Sequence, residues 1–131
     1  MEEQVRVQVK GHVTISEVDS GKVLYDDHNA LTANAPNIIR NALGGGIPIS
    51  EIIALKAAVV LAVSPVSTVT YTSTNEVTFR SVFTPASFND TLDELQLGNP
   101  AFGLFSTVTA LSIFKDGATQ IAVEWKLEII T

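Results

Sequence analysis

The sequence predicts a mostly-β antiparallel sandwich or barrel with one short helix near residues 35–43. Three observations predict it. Apolar and polar residues alternate with a period of two over several stretches. Turn-forming clusters of Gly, Asp, Asn and Pro separate those stretches. Only one stretch changes clearly to helical spacing.

Val5, Val7 and Val9 alternate with Arg6, Gln8 and Lys10, and Val13 and Ile15 resume the pattern after Gly11. One face of such a strand is buried and the other wet. Asp19-Ser20-Gly21-Lys22 is a tight-turn signature, and Val23-Leu24-Tyr25 returns as the partner strand. Asp26 to Asn29 reads as a polar break. Ile38, Ile39, Ala42 and Leu43 then fall at helical spacing within Thr32 to Leu43. Pro36 suits the first helical turn, where its missing N–H would be unpaired anyway. Asn34 or Ala35 takes the cap, Asn34 being the better capping type. Gly44-Gly45-Gly46 ends the helix.

Pro48 to Glu51 reads as a loop. Ile52 to Val63 is apolar and partly β-branched; its alanines leave helix open, and the Ser64-Pro65 punctuation favours strand. Val66 to Thr74 has clear strand chemistry, and Asn75-Glu76 is a turn. Val77, Phe79, Ser81 and Phe83 share one side of the next strand, which Pro85 stops. Ala86 to Pro100 reads as a long connection that Leu92, Leu95 and Leu97 anchor to the core. Phe102 to Phe114 reads as one long strand bent near Ala110. Lys115-Asp116-Gly117 is a hairpin signal. In the last strand Ile121, Val123, Trp125 and Leu127 face one way, and Glu124, Lys126 and Glu128 the other. The tally is about eight strands and one helix in a single domain, residues 1–131.

The 131 residues suffice for a core without metals or disulfides, and there is no cysteine. Hydrophobic residues make up 46% and charged residues 17%. The charged share is low, which implies either a large core or apolar surface that a partner covers. The net charge of −6, with scattered Lys and Arg, lacks the basic footprint of a nucleic-acid binder. The acidic start, Met1-Glu2-Glu3-Gln4, is unlike a signal peptide, and Ile52 to Val63 is too short to span a bilayer. The chain therefore reads as soluble, made in the cytosol, with neither nucleic acid nor membrane as partner.

Candidate reactive groups are sparse. His12 falls on the polar side of a strand and His28 in a polar loop; both read as surface residues. Asp26, Asp27 and His28 are adjacent, but neighbours on an extended chain point apart, so a metal set does not follow. Asp90, Asp93 and Glu94 are too close in sequence to straddle a substrate, and read as loop solvation or helix capping. The glycine triplet follows a helix, whereas a phosphate cradle precedes one. No Gly-x-Ser-x-Gly element supports a nucleophilic serine. Phe79, Phe83, Phe102, Phe105, Phe114 and Trp125 occupy core-compatible positions. The expectation is a non-enzymatic protein without catalytic residues, cofactor or metal.

Two sets of segments carry a resemblance. Gly11-His12-Val13-Thr14-Ile15, Ser20-Gly21-Lys22-Val23-Leu24 and His28-Asn29-Ala30-Leu31 resemble the opening of many small tailed-bacteriophage virion proteins: strand, hairpin, then a corner into a helix. Asp93-Glu94-Leu95-Gln96-Leu97, Gly103-Leu104-Phe105-Ser106, Ile113-Phe114-Lys115 and Val123-Glu124-Trp125-Lys126-Leu127 are similar to their ending. Order and spacing match over most of the chain. Residues 47–72 depart in being unusually apolar, and Glu94-Leu95-Gln96-Leu97 lacks the glycine usual in that element.

The resemblance implies a jelly-roll-like β-sandwich that serves as a virion building block. Such proteins act as capsid decoration, head-fibre base, adaptor or tail appendage. The implied partners are further copies of the chain, as a homotrimer, and other virion proteins such as a capsid or tail protein. The implied location is the virion. Asn29 would be a structural corner and Trp125 a core anchor. Two other readings have stated requirements. A module binding a host receptor or surface glycan would need Tyr25, Tyr71 and Trp125 exposed together. A small enzyme would need His28 convergent with Asp26 or Asp90 in a deep pocket.

Overall fold

The computed structural model describes residues 8–33, 35–43, 45, 49–100 and 103–130. Its strands are β1 (Gln8–Glu17), β2 (Val23–Leu31), β3 (Glu51–Lys56), β4 (Val59–Pro65), β5 (Thr68–Ser73) and β6 (Glu76–Phe83). They continue as β7 (Asp90–Leu92), β8 (Glu94–Asn99), β9 (Gly103–Val108), β10 (Ile113–Lys115) and β11 (Ile121–Ile130). Among the described residues the single helix, α1, spans Ala35–Leu43. Nine strands form one antiparallel sheet in the order β4-β3-β8-β9-β2-β1-β11-β6-β5, and β7 pairs with β10.

The long sheet turns back on itself at β2. The first part of β2 pairs with β1, and its last residues, Ala30 and Leu31, pair with Thr107 and Ser106 of β9. One half of the sheet is therefore β2-β1-β11-β6-β5 and the other β4-β3-β8-β9-β2. Between the halves lie Val13, Ile15, Ile52, Phe83, Leu95, Leu97, Phe105, Val123 and Trp125, all at most 2% exposed. Burial of these side chains, about 1.5–3 kcal/mol each, drives the halves together. The result is the mostly-β, sandwich-like fold with one short helix that the sequence predicts.

Three long-range pairs nest, β1 with β11, β2 with β9 and β3 with β8, and the pairing of β6 with β11 crosses the inner two. The direct pairing of β1 with β2 is a local hairpin within one half. Gly21, at φ +72°, makes its turn, and the Gly21 N–H donates to the Glu17 carbonyl at 2.9 Å.

The ends of the long sheet, β4 and β5, are consecutive in the chain. Their link crosses beside β6. Ser81 Oγ donates to the Pro65 carbonyl at 2.9 Å, Ser64 Oγ to the Val82 carbonyl at 3.0 Å, and Ser67 N–H to the Arg80 carbonyl at 2.8 Å. Ser64 and Ser81 are buried, so these bonds satisfy hydroxyls that would otherwise be costly to desolvate.

Several expectations are corrected. Asp26 to Asn29 continues strand β2 instead of breaking it, because it keeps its ladder with Gly11 to Thr14 of β1. The apolar run Ile52 to Val63 is two strands, turned at Ala57 and Ala58, which both hold positive φ (49° and 64°). Alanine is a poor residue for that conformation, so no turn signal marked it. Ala86 to Pro100 contains β7 and β8, although Leu92, Leu95 and Leu97 do anchor it at 0% exposure. The predicted long strand up to Phe114 is broken at Ala110 (φ 59°) into β9 and β10, which pair with different partners. Lys115-Asp116-Gly117 leads into a turn but not a hairpin, since β10 pairs with β7 and β11 with β1 and β6. Asn34, Gly44, Gly46 and Phe102 lie outside the described residues; the Gly45 N–H donates to the Ala42 carbonyl at 3.1 Å.

Candidate functional site

Both histidines stand on the outer face of the β1–β2 hairpin. His12 is directly opposite His28, and Thr14 opposite Asp26. The two rings meet edge to face with centroids 4.8 Å apart. His12 Nε2 bonds Asp26 Oδ1, which also accepts from Thr14 Oγ1 at 3.1 Å. These bonds, His12 first, hold the Asp26 carboxyl below the usual carboxylate value. Asp27 points to the other side and accepts the His28 N–H at 2.7 Å. His28 therefore sits in a strand and not a loop, and the structure does bring it near Asp26. The setting is an open face: the Asp26 side chain is 56% exposed. Beside it, His12, Glu76, Glu124, Lys126 and three threonines line a shallow depression of about 290 Å³.

Asp90 lies elsewhere, in β7. Its Oδ1 pairs with Lys56 Nζ at 2.7 Å and accepts the Thr91 N–H, which together lower its pKa. Asp93 Oδ2 accepts the Ala57 N–H at 2.9 Å and so braces the β3–β4 turn. Glu94 accepts from Gln96 Nε2 at 2.6 Å. These acids belong to strand ends and turns; the expected helix-capping role does not occur, since the only helix among the described residues is α1. Among the described residues no group of three His, Asp or Glu side chains is placed to hold a metal ion.

Lys115 is the one buried charge that sequence reasoning missed. It is 0% exposed, covered by the β6–β7 connection. Its Nζ donates to the carbonyls of Phe88 (2.8 Å), Pro85 (2.9 Å) and Asp116 (3.0 Å) and lies 5.1 Å from the Phe88 ring centroid. Three donors meet three acceptors, so the site is complete as an ammonium cage. Burial still pushes the Lys115 pKa below the ordinary lysine value. The available signal was parity. Ile113 is buried, so Lys115 two residues on must also point in, and Phe114 between them points out.

That parity corrects the reading of Phe114, which is 63% exposed. Phe79, Phe83, Phe105 and Trp125 are buried as expected. Tyr71 is 79% exposed, Tyr25 half-buried and Trp125 wholly buried, so the trio required for an aromatic glycan platform is not presented together.

The larger surface feature is apolar. Helix α1 packs on β9 and leaves an open cleft of about 650 Å³ against the inner face of β1, β11, β6 and β5. Ile38, Leu43, Ile49, Val69, Tyr71 and Val77 are among its lining residues. Val59, Val60 and Val63 of β4, which do not line that cleft, are exposed as well. From Ala57 to Asn75, through both edge strands, there is no charged residue. No helix among the described residues is long and apolar enough to cross a membrane.

Fold and surfaces together define a β-sandwich-like module with uncharged edge strands and, among the described residues, one buried, fully bonded cation. Comparison with protein-family models, with characterised proteins and with solved structures finds no match to this chain.

Proposed function

We propose that this chain is a non-enzymatic structural protein of a tailed-bacteriophage virion, assembling with its own copies and with other virion proteins through apolar surface. One observation carries the assembly part of the reading. The two strands at the ends of the sheet, where natural sheets place charges, carry exposed Val59, Val60, Val63, Val69 and Tyr71 and no charge at all. Surface of that kind is kept where a partner covers it. The virion part rests on the ordered resemblance in the two terminal thirds of the sequence. Several residues that carry it have a structural use here. Gly11 and Asn29 face each other, Asn29 reaches Ser106, Lys115 is caged and Trp125 is in the core. Capsid decoration, head-fibre base and adaptor are the roles in view.

The test is immunogold electron microscopy of purified phage particles with antibody against the chain. Labelling at a fixed position on head or tail is expected. Particles that stay unlabelled, and that lack the chain by mass spectrometry, would overturn the reading.

A further inference from the structure

We propose that the free edge of β5 pairs with the same edge of a second copy, antiparallel, with Thr70 on the two-fold axis. The inference rests on the reading that the chain self-assembles, and it names the surface and the register.

β5 is the last strand of the nine, so among the described residues one side of its backbone has no strand beside it. All six of its residues are exposed. Unpaired strand edges template pairing with another chain, and proteins blunt them with Lys, Pro or inward charges. Thr68-Val69-Thr70-Tyr71-Thr72-Ser73 has none of these; its single irregularity is a register shift against β6 between Thr70 and Ser73.

The occupant is argued from charge and from sequence symmetry. A second copy carries the same net charge of −6. Two such copies meet least like-charge repulsion along the charge-free segment from Ala57 to Asn75, which contains β5. The strand is also nearly palindromic about Thr70. With Thr70 opposite its own copy, Val69 lies opposite Tyr71 and Thr68 opposite Thr72. Aromatic with β-branched, and Thr with Thr, are favourable cross-strand pairs. Residues directly opposite in an antiparallel pair share a face. Val69 and Tyr71 line the apolar cleft, whereas Thr72 lines the shallow polar depression on the opposite face. The pairing therefore places each copy's Tyr71 beside the other's Val69, on the cleft side, and joins the two sheets into one. The contact is isologous and closes as a pair. Copies held by a three-fold contact elsewhere would be linked two by two through it.

The chain has no cysteine, so single substitutions report cleanly. At the axis, the two Thr70 Cα atoms would lie about 4.5–5.5 Å apart, inside the range a disulfide spans. Under mild oxidation Thr70→Cys should give a linked dimer. Thr68→Cys should not, since its own copies would be roughly 13 Å apart. A mixture of Thr68→Cys and Thr72→Cys should give the mixed dimer. Thr70→Lys sets like charges directly opposite and should weaken association at least about tenfold, with circular dichroism and Trp125 emission unchanged.

A native chain that sediments as a monomer at all concentrations overturns the pairing and leaves particle labelling to judge the virion reading. An oligomer that survives Thr70→Lys, or that links equally through residue 68, keeps self-assembly and overturns this edge. Loss of particle incorporation in Thr70→Lys, without any linking of Thr70→Cys, makes the occupant a strand of another virion protein and overturns the second copy.

Discussion

The side chain of Asn29 lies across the Cα of Gly11, its cross-strand partner. A Cβ built on Gly11 would stand 2.9 Å from Asn29 Cγ, closer than real Cβ contacts allow. Asn29 Nδ2 donates to Ser106 Oγ of β9, so the carboxamide spans the place where β2 passes from one half of the sheet to the other. Gly11 is there for the approach of another side chain and not for its own backbone angle. Gly11→Ala should destabilise the fold by about 1–3 kcal/mol through overpacking. In Asn29→Ala, the same change should cost markedly less. Urea unfolding of the four proteins measures that coupling; additive losses would show that the contact is not the reason for the glycine.

The β3–β4 turn carries removable strain. Ala57 and Ala58 both hold positive φ, which costs a non-glycine residue roughly 1–2 kcal/mol. Asn-Gly is the favoured pair for a two-residue turn of this hand. Replacing Ala57-Ala58 with Asn-Gly should raise stability by about 1–2 kcal/mol and keep the Ala57 N–H bond to Asp93. An unchanged or lowered urea midpoint would contradict this.

Lys115 closes the β6–β7 connection onto β10. In Lys115→Met the apolar stem remains, but the carbonyls of Pro85, Phe88 and Asp116 lose their donor. Unfolding free energy should fall by about 3 kcal/mol. A loss below about 1 kcal/mol would mean that water replaces the ammonium without penalty.

Acid should unfold the chain through identifiable groups. Asp26 is held down by His12 and Thr14, Asp90 by Lys56 and the Thr91 N–H, and Asp116 by Thr119 and the Ala118 N–H. Each folded pKa is below the unfolded 3.8, so the stabilisation is full above that value and is lost as pH falls through the folded values. Lys115 acts in the same sense at alkaline pH, because burial lowers its pKa as well. Its folded pKa lies below 10.5, so its contribution makes stability rise with pH between the two values. Urea titrations from roughly pH 6 to pH 2 should show a falling acid limb, flattened in Asp26→Asn/Asp90→Asn. An acid limb identical in the double variant would remove these two groups from the account.

Local chemistry made much of the fold readable. Val13, Ile15, Val123 and Trp125 alternate with polar residues, so both the strand and its buried face follow from a period of two. Helix α1 follows from Ile38, Ile39, Ala42 and Leu43 and a proline in the first turn. What stayed hidden lacked a local mark. The β3–β4 turn is made by alanines, and β7 and β8 lie among the Asn, Asp and Gly of an apparent loop. The run Asp26 to Asn29 in β2 looked like a break because it carries no alternating apolar residue, and only its ladder to β1 across the hairpin makes it strand.

The candidate surfaces divide the same way. The charge-free run from Ala57 to Asn75 is visible in the chain, but that it forms both ends of the sheet is not. His12 and His28 are 16 positions apart and touch only because one hairpin register puts them opposite each other. Lys115 was read as a turn residue until the parity of β10 turned it inward.

By itself, then, the sequence determined the alternating strands, the one helix, the burial of Phe79, Phe83, Phe105 and Trp125 and the shortage of charge, because each depends on residues within a few positions of one another. Only the tertiary structure decided which strands lie side by side, which two are left at the ends of the sheet, and which cation is sealed inside. Those outcomes depend on how two halves of a sheet close over a shared core, and that closure couples residues far apart in the chain.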